Sequence, residues 1–511
     1  MSLSRTHNSI VNVSWGLIVT LLNTLVTFAN RTVFVKCLGP EYLGLNSLFS
    51  EVITMLSLAE LGVGMAINFS LYRPIHENDY VKLSQLMSLY KKTYNIIAFV
   101  IFALGLIVLP FVHLIVNGTN FSLGFIRLVF FLFILNTACS YLLSYNQSYI
   151  NANQKQYVVS LVSVIVKVLF TVLLIILLLL THNYILYVIC VIIQTLVTNI
   201  ILTIYVRRKY PFLDYSEKLP KNERRKIFVD IKNIFIKRVS GILTSNSANV
   251  FISLFVSTVQ VGLYSNYVLL LSVFKSLNTQ LSTGIKASIG DLMASGDSER
   301  CVVILRRLTF MFYIFAFFSC SALLTVSSDF IEIWLGKEYV LGSTIVFIIV
   351  LNLFLSISFE PLWQYLEVSG LFRQDRDIAI IGSILNIAIV IVFGYYIGMA
   401  GILLGSVISQ VAQMLLKAKI LYKLKFEKSC SSFLLMIIKM TFTFVIFCVF
   451  YFLLIDYLNL DKVFVSIFFK LLFSLVMTIF LLLFVFGKSN EFHYCKVSLL
   501  SCISSIIKKY R

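Results

Sequence analysis

Charged residues are scarce in this chain. Only 13% of its 511 residues are charged, whereas 59% are hydrophobic, and the mean hydropathy is +0.93. A soluble domain carries about 25% charged residues. The composition therefore excludes a soluble protein and indicates an integral membrane protein.

The sequence also lacks the motifs of metal, redox and nucleotide sites. Its nine cysteines form no CxxC pair and its five histidines form no cluster, so we expect neither a metal site nor a disulfide framework. A phosphate-binding loop of the G-x-x-x-x-G-K-[ST] type does not occur. This argues against ATP hydrolysis and predicts a protein without a cofactor.

Long apolar segments dominate what is present. A spanning helix needs about 20 mostly apolar residues. Fourteen such segments follow one another, at residues 10–35, 45–69, 93–116, 122–145, 157–180, 184–206, 239–259, 263–286, 308–328, 343–366, 377–396, 400–416, 433–455 and 463–487. The first is too long for the apolar core of a signal peptide, so we interpret it as a span. The predicted fold is an all-α membrane bundle of about fourteen helices.

Basic residues alternate between the two sides of this bundle. The net charge is +19, with 42 Lys and Arg against 23 Asp and Glu. If the N-terminus is cytoplasmic, the inward connections and the tails hold 32 of the 42 basic residues. Four lie on the outward side, three in connections and Arg127 near the outer end of a span. Basic loops resist translocation, so we expect both termini in the cytoplasm. The charge thus reports topology, and nucleic acid is not an expected partner.

An internal repeat relates two parts of the chain. At an offset of 218 residues Gly44 aligns with Gly262 and Asp79 with Asp297, and 11 of the 65 positions from 44 to 108 are identical. Parallel repeats of six spans imply two pseudo-symmetric lobes. The predicted organisation is an N-terminal six-helix lobe (1–206), a basic cytoplasmic linker (207–238), a C-terminal six-helix lobe (239–432), two additional spans (433–487) and a cytoplasmic tail (488–511).

Polar residues recur at intervals of three or four inside several spans. These stripes are Asn12, Gly16, Thr20, Asn23, Thr27 and Arg31; Ser160, Ser163, Lys167 and Thr171; Ser245, Asn249 and Ser253; Lys275, Thr279, Ser282 and Lys286; and Asn352, Ser356, Glu360 and Gln364. A polar helical face is costly against lipid, so each stripe should face a cavity or another helix.

Three cations within the spans are the strongest site candidates. Arg31, Lys167 and Lys275 would each cost about 2.5–3.5 kcal/mol at the centre of an inserted helix, which favours a cavity. For Arg31 the alternative is that its side chain reaches the outer interface. Lys470 is expected to be interfacial or structural.

Carboxylates within the spans form a second set of candidates. They are Glu51 and Glu60 in the second span and Glu360 in the tenth. Each either neutralises a buried cation or binds a coupling proton or Na⁺.

Short motifs near the N-terminus show a family resemblance. Asn30 to Asn46 reads Asn-Arg-Thr-Val-Phe-Val-Lys-Cys-Leu-Gly-Pro-Glu-Tyr-Leu-Gly-Leu-Asn, and Leu58 to Ile67 reads Leu-Ala-Glu-Leu-Gly-Val-Gly-Met-Ala-Ile. Both stretches resemble the opening of Wzx-type polysaccharide flippases. These belong to the MOP superfamily, which also holds MATE exporters and the lipid II flippases.

The resemblance implies a transporter and not an enzyme. The implied substrate is an undecaprenyl-diphosphate-linked oligosaccharide, used for O antigen, capsule or exopolysaccharide, in the bacterial cytoplasmic membrane. Further implied partners are membrane lipid, the polysaccharide polymerase and its chain-length machinery. Cations suit a diphosphate because they supply both charge and donors. The predicted substrate-binding residues are Arg31, Lys167, Lys275, Asn30 and Asn249.

Two other functions fit the sequence less well. A MATE-like exporter of small cations would need an anionic cavity, whereas the cations within these spans predict a cationic one. A membrane polysaccharide polymerase or ligase would need a large external loop, and the longest outward connection, at about 329–342, is short.

Overall fold

The computed structural model describes residues 2–57, 63–216, 219–221, 223–225, 227, 248–458 and 463–497. These residues are overwhelmingly helical, and no strand occurs among them. They form two compact units, residues 1–262 and residues 263–511. The predicted all-α fold is therefore confirmed.

The helices of unit 1 cover the predicted spans, but they extend into the predicted loop 70–92, where α3 ends and α4 begins. They are α1 (Ser2–Leu38), α2 (Pro40–Leu56), α3 (Val63–Glu77), α4 (Tyr80–Val108), α5 (Leu123–Tyr141), α6 (Tyr145–Ala152), α7 (Gln156–Thr181), α8 (Tyr184–Lys209) and α9 (Ala248–Phe255). Helix α10 (Thr258–Ala294) begins in unit 1 and continues into unit 2. The short helix α6 lies in a segment that the sequence had placed in a loop.

The remaining helices belong to unit 2. They are α11 (Ser298–Leu335), α12 (Ser343–Ser358), α13 (Glu360–Val368), α14 (Phe372–Ile397), α15 (Met399–Leu421), α16 (Ser431–Leu458) and α17 (Val463–Phe486). Phe359 separates α12 from α13, directly before the Glu360-Pro361 pair at the start of α13. Proline fits there because the first residues of a helix have no intrahelical acceptor for their N–H groups.

Ten helical segments in the described part of the chain are long and apolar enough to cross a membrane. They coincide with ten of the fourteen predicted spans. The other four predictions, 10–35, 45–69, 239–259 and 263–286, are helical over most of their described residues. These four segments carry polar residues or extend outside the described ranges, and both features remove them from a count based on length and hydropathy.

The 218-residue offset of the repeat also relates the first residues and the caps of the helices. Asp79 and Asp297 each cap a helix, accepting the backbone N–H of Lys82 at 2.9 Å and of Arg300 at 3.0 Å. Their backbone angles are nearly identical, with φ −79° for both and ψ 84° and 89°. Four helices of one half begin 218 residues, to within three, before a helix of the other half. The pairs are α4 and α11, α5 and α12, α7 and α14, and α8 and α15.

Two glycines allow α2 to cross the start of α10 at very short range. A Cβ on Gly44 would overlap the carbonyl oxygen of Thr258, and a Cβ on Gly262 would lie 2.9 Å from the backbone nitrogen of Gly44. Thr258 is itself fixed, because its N–H donates to the carbonyl of Asn117 at 2.8 Å. The aligned glycines of the repeat therefore contact each other.

Helix α6 is held by side chains from α8 and from the segment that follows α8. Asn146 donates to Thr203 Oγ1 at 2.9 Å and accepts from the Tyr215 hydroxyl at 3.1 Å. Tyr145 and Tyr149 are almost completely buried beside it. These contacts give the next residue, Gln147, a fixed position.

Buried polar contacts attach the last helix to α11. Lys470 donates to Asp329 Oδ2 at 2.7 Å, and Ser474 and Thr478 each donate to Ser321 Oγ at 3.0 Å. The Lys470 side chain is 3% exposed, so its charge is compensated inside the protein. Its role is structural, one of the two roles that the sequence left open.

Candidate functional site

Unit 1 contains a polar cavity of about 440 Å³. It is lined by Asn23, Ser140, Tyr141, Ser144, Gln147, Ser163, Lys167, Gln194, Thr195, Thr198 and Asn199. The lining comes from α1, α5, α6, α7 and α8 and from the turn between α5 and α6. We call this space the unit-1 cavity.

Two of the predicted polar stripes meet at the unit-1 cavity. Asn23 of α1 and Ser163 and Lys167 of α7 all line it. The Lys167 ammonium donates to Thr27 Oγ1 at 2.8 Å, which joins the two stripes directly. The polar faces of α1 and α7 thus contact each other and line the cavity. This placement keeps their polar side chains away from lipid.

The polar residues contributed by α8 and α6 were not identified from the sequence. Gln194, Thr195, Thr198 and Asn199 recur at intervals of three and four, so the same spacing signal was present on α8. Gln147 carried no such signal, because α6 is only eight residues long.

Asn199 organises one wall of the unit-1 cavity. Its side-chain amide nitrogen lies 3.1 Å from the carbonyls of Ser140 and Leu142, which are left without helical partners at the end of α5. Its Oδ1 accepts the Gln147 amide at 2.9 Å. A second link joins Thr195 Oγ1 to Asn136 Oδ1 at 2.9 Å. This wall is therefore rigid and uncharged.

Lys167 gives the unit-1 cavity its charge. No Asp or Glu is among the lining residues, and within the described residues Lys167 forms no ion pair. An ammonium whose one hydrogen-bond partner among the described residues is a neutral hydroxyl keeps donor capacity for a ligand. The cavity is therefore suited to an anionic group.

Asn30 and Arg31 lie further along α1. The Asn30 amide donates to the Tyr187 hydroxyl at 2.8 Å, while its Oδ1 is buried with no hydrogen-bond partner in the described structure. Arg31 is half-buried, and its charge lies close enough to Tyr187 to interact with it. Thr27 and Arg31 share a helical face, about 6 Å apart along the axis. Arg31 thus follows the Lys167 contact by one turn.

Glu51 and Asn249 are brought together within unit 1. Glu51 Oε1 accepts the backbone N–H of Asn249 at 3.2 Å, linking α2 to α9. The Asn249 Oδ1 is buried without a partner among the described residues. Within the described residues Glu51 thus accepts one long hydrogen bond from the backbone, which compensates a carboxylate poorly.

Glu360 occupies a better-compensated position in unit 2. Its Oε1 accepts from the Ser282 hydroxyl at 2.6 Å and from the Gln364 amide at 2.8 Å. One turn beyond Ser282 on α10 and two turns beyond Glu360 on α13, Lys286 and Glu367 form an ion pair at 3.0 Å. The predicted stripes on α10 and α13 therefore also meet.

Lys275 and Glu60 are the two remaining candidates from the sequence. Lys275 is exposed on α10 and has no ion-pair partner among the described residues. Glu60 lies outside the described residues.

The fold and these polar stripes define a helical membrane protein with a polar cavity among its spans. The chain belongs to the family described as polysaccharide biosynthesis protein, which matches residues 9–284. No curated protein matches the sequence.

Several solved structures share the fold. The lipid II flippase MurJ in an inward closed conformation matches with a TM-score of 0.64 and 17% identity, covering 92% of this chain and 98% of that chain. An inward-facing MATE family multidrug resistance transporter of the MOP superfamily matches with a TM-score of 0.61 and 14% identity, covering 82% and 100%.

A third similar structure is a MOP superfamily transporter from Pyrococcus furiosus, described by the reverse polarity of its binding pocket. It has a TM-score of 0.52 and 13% identity, and the match covers 82% of this chain and 96% of that one. Together with the family, these folds confirm the predicted relationship to the MOP superfamily.

Proposed function

We propose that this protein is a flippase for undecaprenyl-diphosphate-linked oligosaccharide repeat units. It moves them from the inner to the outer leaflet of the bacterial cytoplasmic membrane for the synthesis of O antigen, capsule or exopolysaccharide. Membership of the polysaccharide biosynthesis family supports this proposal. The observation that carries it is a polar cavity inside the helical bundle whose only charged lining residue is a lysine.

The chemistry of the proposed site matches a diphosphate-linked sugar. Arg31, Lys167 and Lys275 supply positive charge for the diphosphate or for acidic sugars when these leave the headgroup layer. Asn30 and Asn249 each have a buried carbonyl oxygen without a partner in the described structure, which can accept a sugar hydroxyl. The lipid tail stays in the bilayer, so the protein lowers a desolvation barrier and breaks no bond.

A MATE-like exporter of small cations is the alternative within the same fold. Lys167 disfavours it, because an ammonium repels a cationic substrate and no carboxylate lines the same cavity. A polysaccharide polymerase is disfavoured by a family and folds that are those of transporters.

Orientation and partners are part of the proposal. The 32 basic residues on one side support cytoplasmic termini. Two lobes, 1–206 and 239–432, would open alternately to each side of the membrane. The flipped repeat unit would then pass to the polymerase and its chain-length machinery.

Deletion of the gene tests the function. In the deletion strain the undecaprenyl-linked repeat unit should accumulate on the inner leaflet, because synthesis continues while export stops. Extraction and mass spectrometry of the lipid-linked glycans, with a membrane-impermeant lectin to assign the leaflet, measure this. Accumulation on the outer leaflet would assign the block to polymerisation and contradict the proposal.

Energy input is proposed to involve a carboxylate in the spans. Among the described residues Glu51 has one backbone donor, at 3.2 Å, and is the first candidate. Glu360, with two side-chain donors, is the second. A weakly compensated carboxylate binds a proton or ion more readily, which antiport requires. Glu60 is the third candidate.

Transport in proteoliposomes with an imposed pH or Na⁺ gradient tests this coupling. The wild type should be accelerated severalfold by one of the gradients, and Glu51→Gln should lose that acceleration. Glu360→Gln is the matched comparison, and it should keep most of the response. If both variants respond as the wild type does, neither is the coupling residue. If the wild type ignores both gradients, ion coupling itself is wrong.

A further inference from the structure

Three of the hydroxyl groups around the unit-1 cavity are already used as donors. Ser140 donates to the carbonyl of Thr137 at 2.8 Å, Ser144 to that of Tyr141 at 3.1 Å and Thr198 to that of Gln194 at 2.9 Å. Each hydroxyl has one hydrogen, so lone pairs are what remain for a ligand. The cavity therefore offers acceptors to a molecule that is rich in donors.

Two amides complete this neutral lining. The side chains of Asn23 and Gln194 line the cavity and form no hydrogen bond within the described residues. An amide donates and accepts at once, which matches a hydroxyl on the ligand. The volume of about 440 Å³ lies within the range typical of small-molecule sites. The surroundings suit a polyhydroxylated ring.

Lys167 is the one cation in this lining, and it limits the negative charge that the cavity can compensate in a ligand. A diphosphate group carries at least two negative charges and needs several charged donors. Lys167 is the one cation among the lining residues, so it supplies only one such donor. A single carboxylate matches one ammonium.

We propose that the unit-1 cavity binds a carboxylate-bearing sugar of the transported oligosaccharide, with Lys167 on the carboxylate and the neutral lining on the ring hydroxyls. This deepens the proposed function and rests on it. It assigns Lys167 to sugar selection and leaves the diphosphate to the other cations. The protein then prefers repeat units that contain a uronic acid or a similar acidic sugar.

Binding of three probes to the full-length protein in nanodiscs tests this assignment. The probes are methyl β-D-glucuronide, methyl β-D-glucoside and inorganic diphosphate, measured by saturation-transfer-difference NMR with competition. The glucuronide should bind about tenfold more tightly than the glucoside, since one charge-assisted hydrogen bond distinguishes them. Diphosphate should not displace the glucuronide.

Variants identify the residues responsible. Lys167→Gln should reduce glucuronide affinity to that of the glucoside, whereas Lys167→Arg should keep the preference because it keeps the charge. Gln194→Leu should weaken both sugars by a similar factor. Lys36→Gln, an exposed lysine at the end of α1, is the matched control and should bind both sugars as the wild type does.

The outcomes separate this inference from the proposed function. Displacement of the glucuronide by diphosphate, or unchanged binding in both Lys167→Gln and Gln194→Leu, overturns the sugar assignment. A wild type that translocates lipid-linked oligosaccharide but binds no glucuronide also overturns it and leaves the flippase intact. A wild type that binds glucuronide through Lys167 but translocates no lipid-linked oligosaccharide refutes the flippase alone.

Discussion

Gly44→Ala is expected to destabilise the protein by about 3 kcal/mol or more, at the upper end of overpacking substitutions. The added Cβ would overlap the backbone carbonyl of Thr258, and a backbone atom cannot rotate away as a side chain can. Thr258 is also held by its hydrogen bond to Asn117. The thermal midpoint of the detergent-solubilised protein should fall, and its level in the membrane with it.

Gly124→Ala is the matched control for this prediction. Gly124 also lies in a helix of unit 1, but a Cβ there would have no atom within 4 Å. Alanine is the better helix former, so this substitution should be neutral or stabilising by up to about 1 kcal/mol. Equal thermal midpoints for the two alanine variants would show that the close crossing of α2 and α10 does not stabilise the fold.

The triple variant with Ala at positions 31, 167 and 275 is expected to lose export by about a hundredfold or more. Each cation contributes a charge-assisted hydrogen bond to an anionic substrate, and such bonds are each worth about 1.5–3 kcal/mol. The protein level should not fall, because removing cations from spans lowers the cost of insertion. Surface polymer in a deletion strain complemented with each variant measures the effect.

Two further variants sharpen that result. Arg31→Lys should rescue only part of the loss caused by Arg31→Ala, since lysine keeps the charge but not the fork of donors that binds phosphate in pairs. Lys36→Ala removes an exposed cation from the same helix and should leave export intact. Full polymer production by the triple variant would refute the assignment of the three cations to the substrate.

The sequence by itself determined the elements and their polar faces. Apolar length defined the spans, and the observed helices follow them because backbone groups in lipid must be satisfied within the helix. The aligned Asp79 and Asp297 predicted a repeat, and both cap helices in the same way, since capping depends on neighbours in the sequence. The spacing of three and four residues also predicted the polar helical faces on which Thr27 and Lys167 lie.

Tertiary structure alone decided which polar faces meet. No sequence pattern links Glu51 to Asn249, or Lys470 to Asp329, because these partners are 198 and 141 residues apart. The place of Gln147 in the unit-1 cavity depends on α6, which is too short to show periodicity and is held by contacts from α8 and the segment after it. Helical periodicity fixes the direction in which a side chain points around the axis of its helix. Its partner depends on the packing of distant helices, which no local pattern encodes.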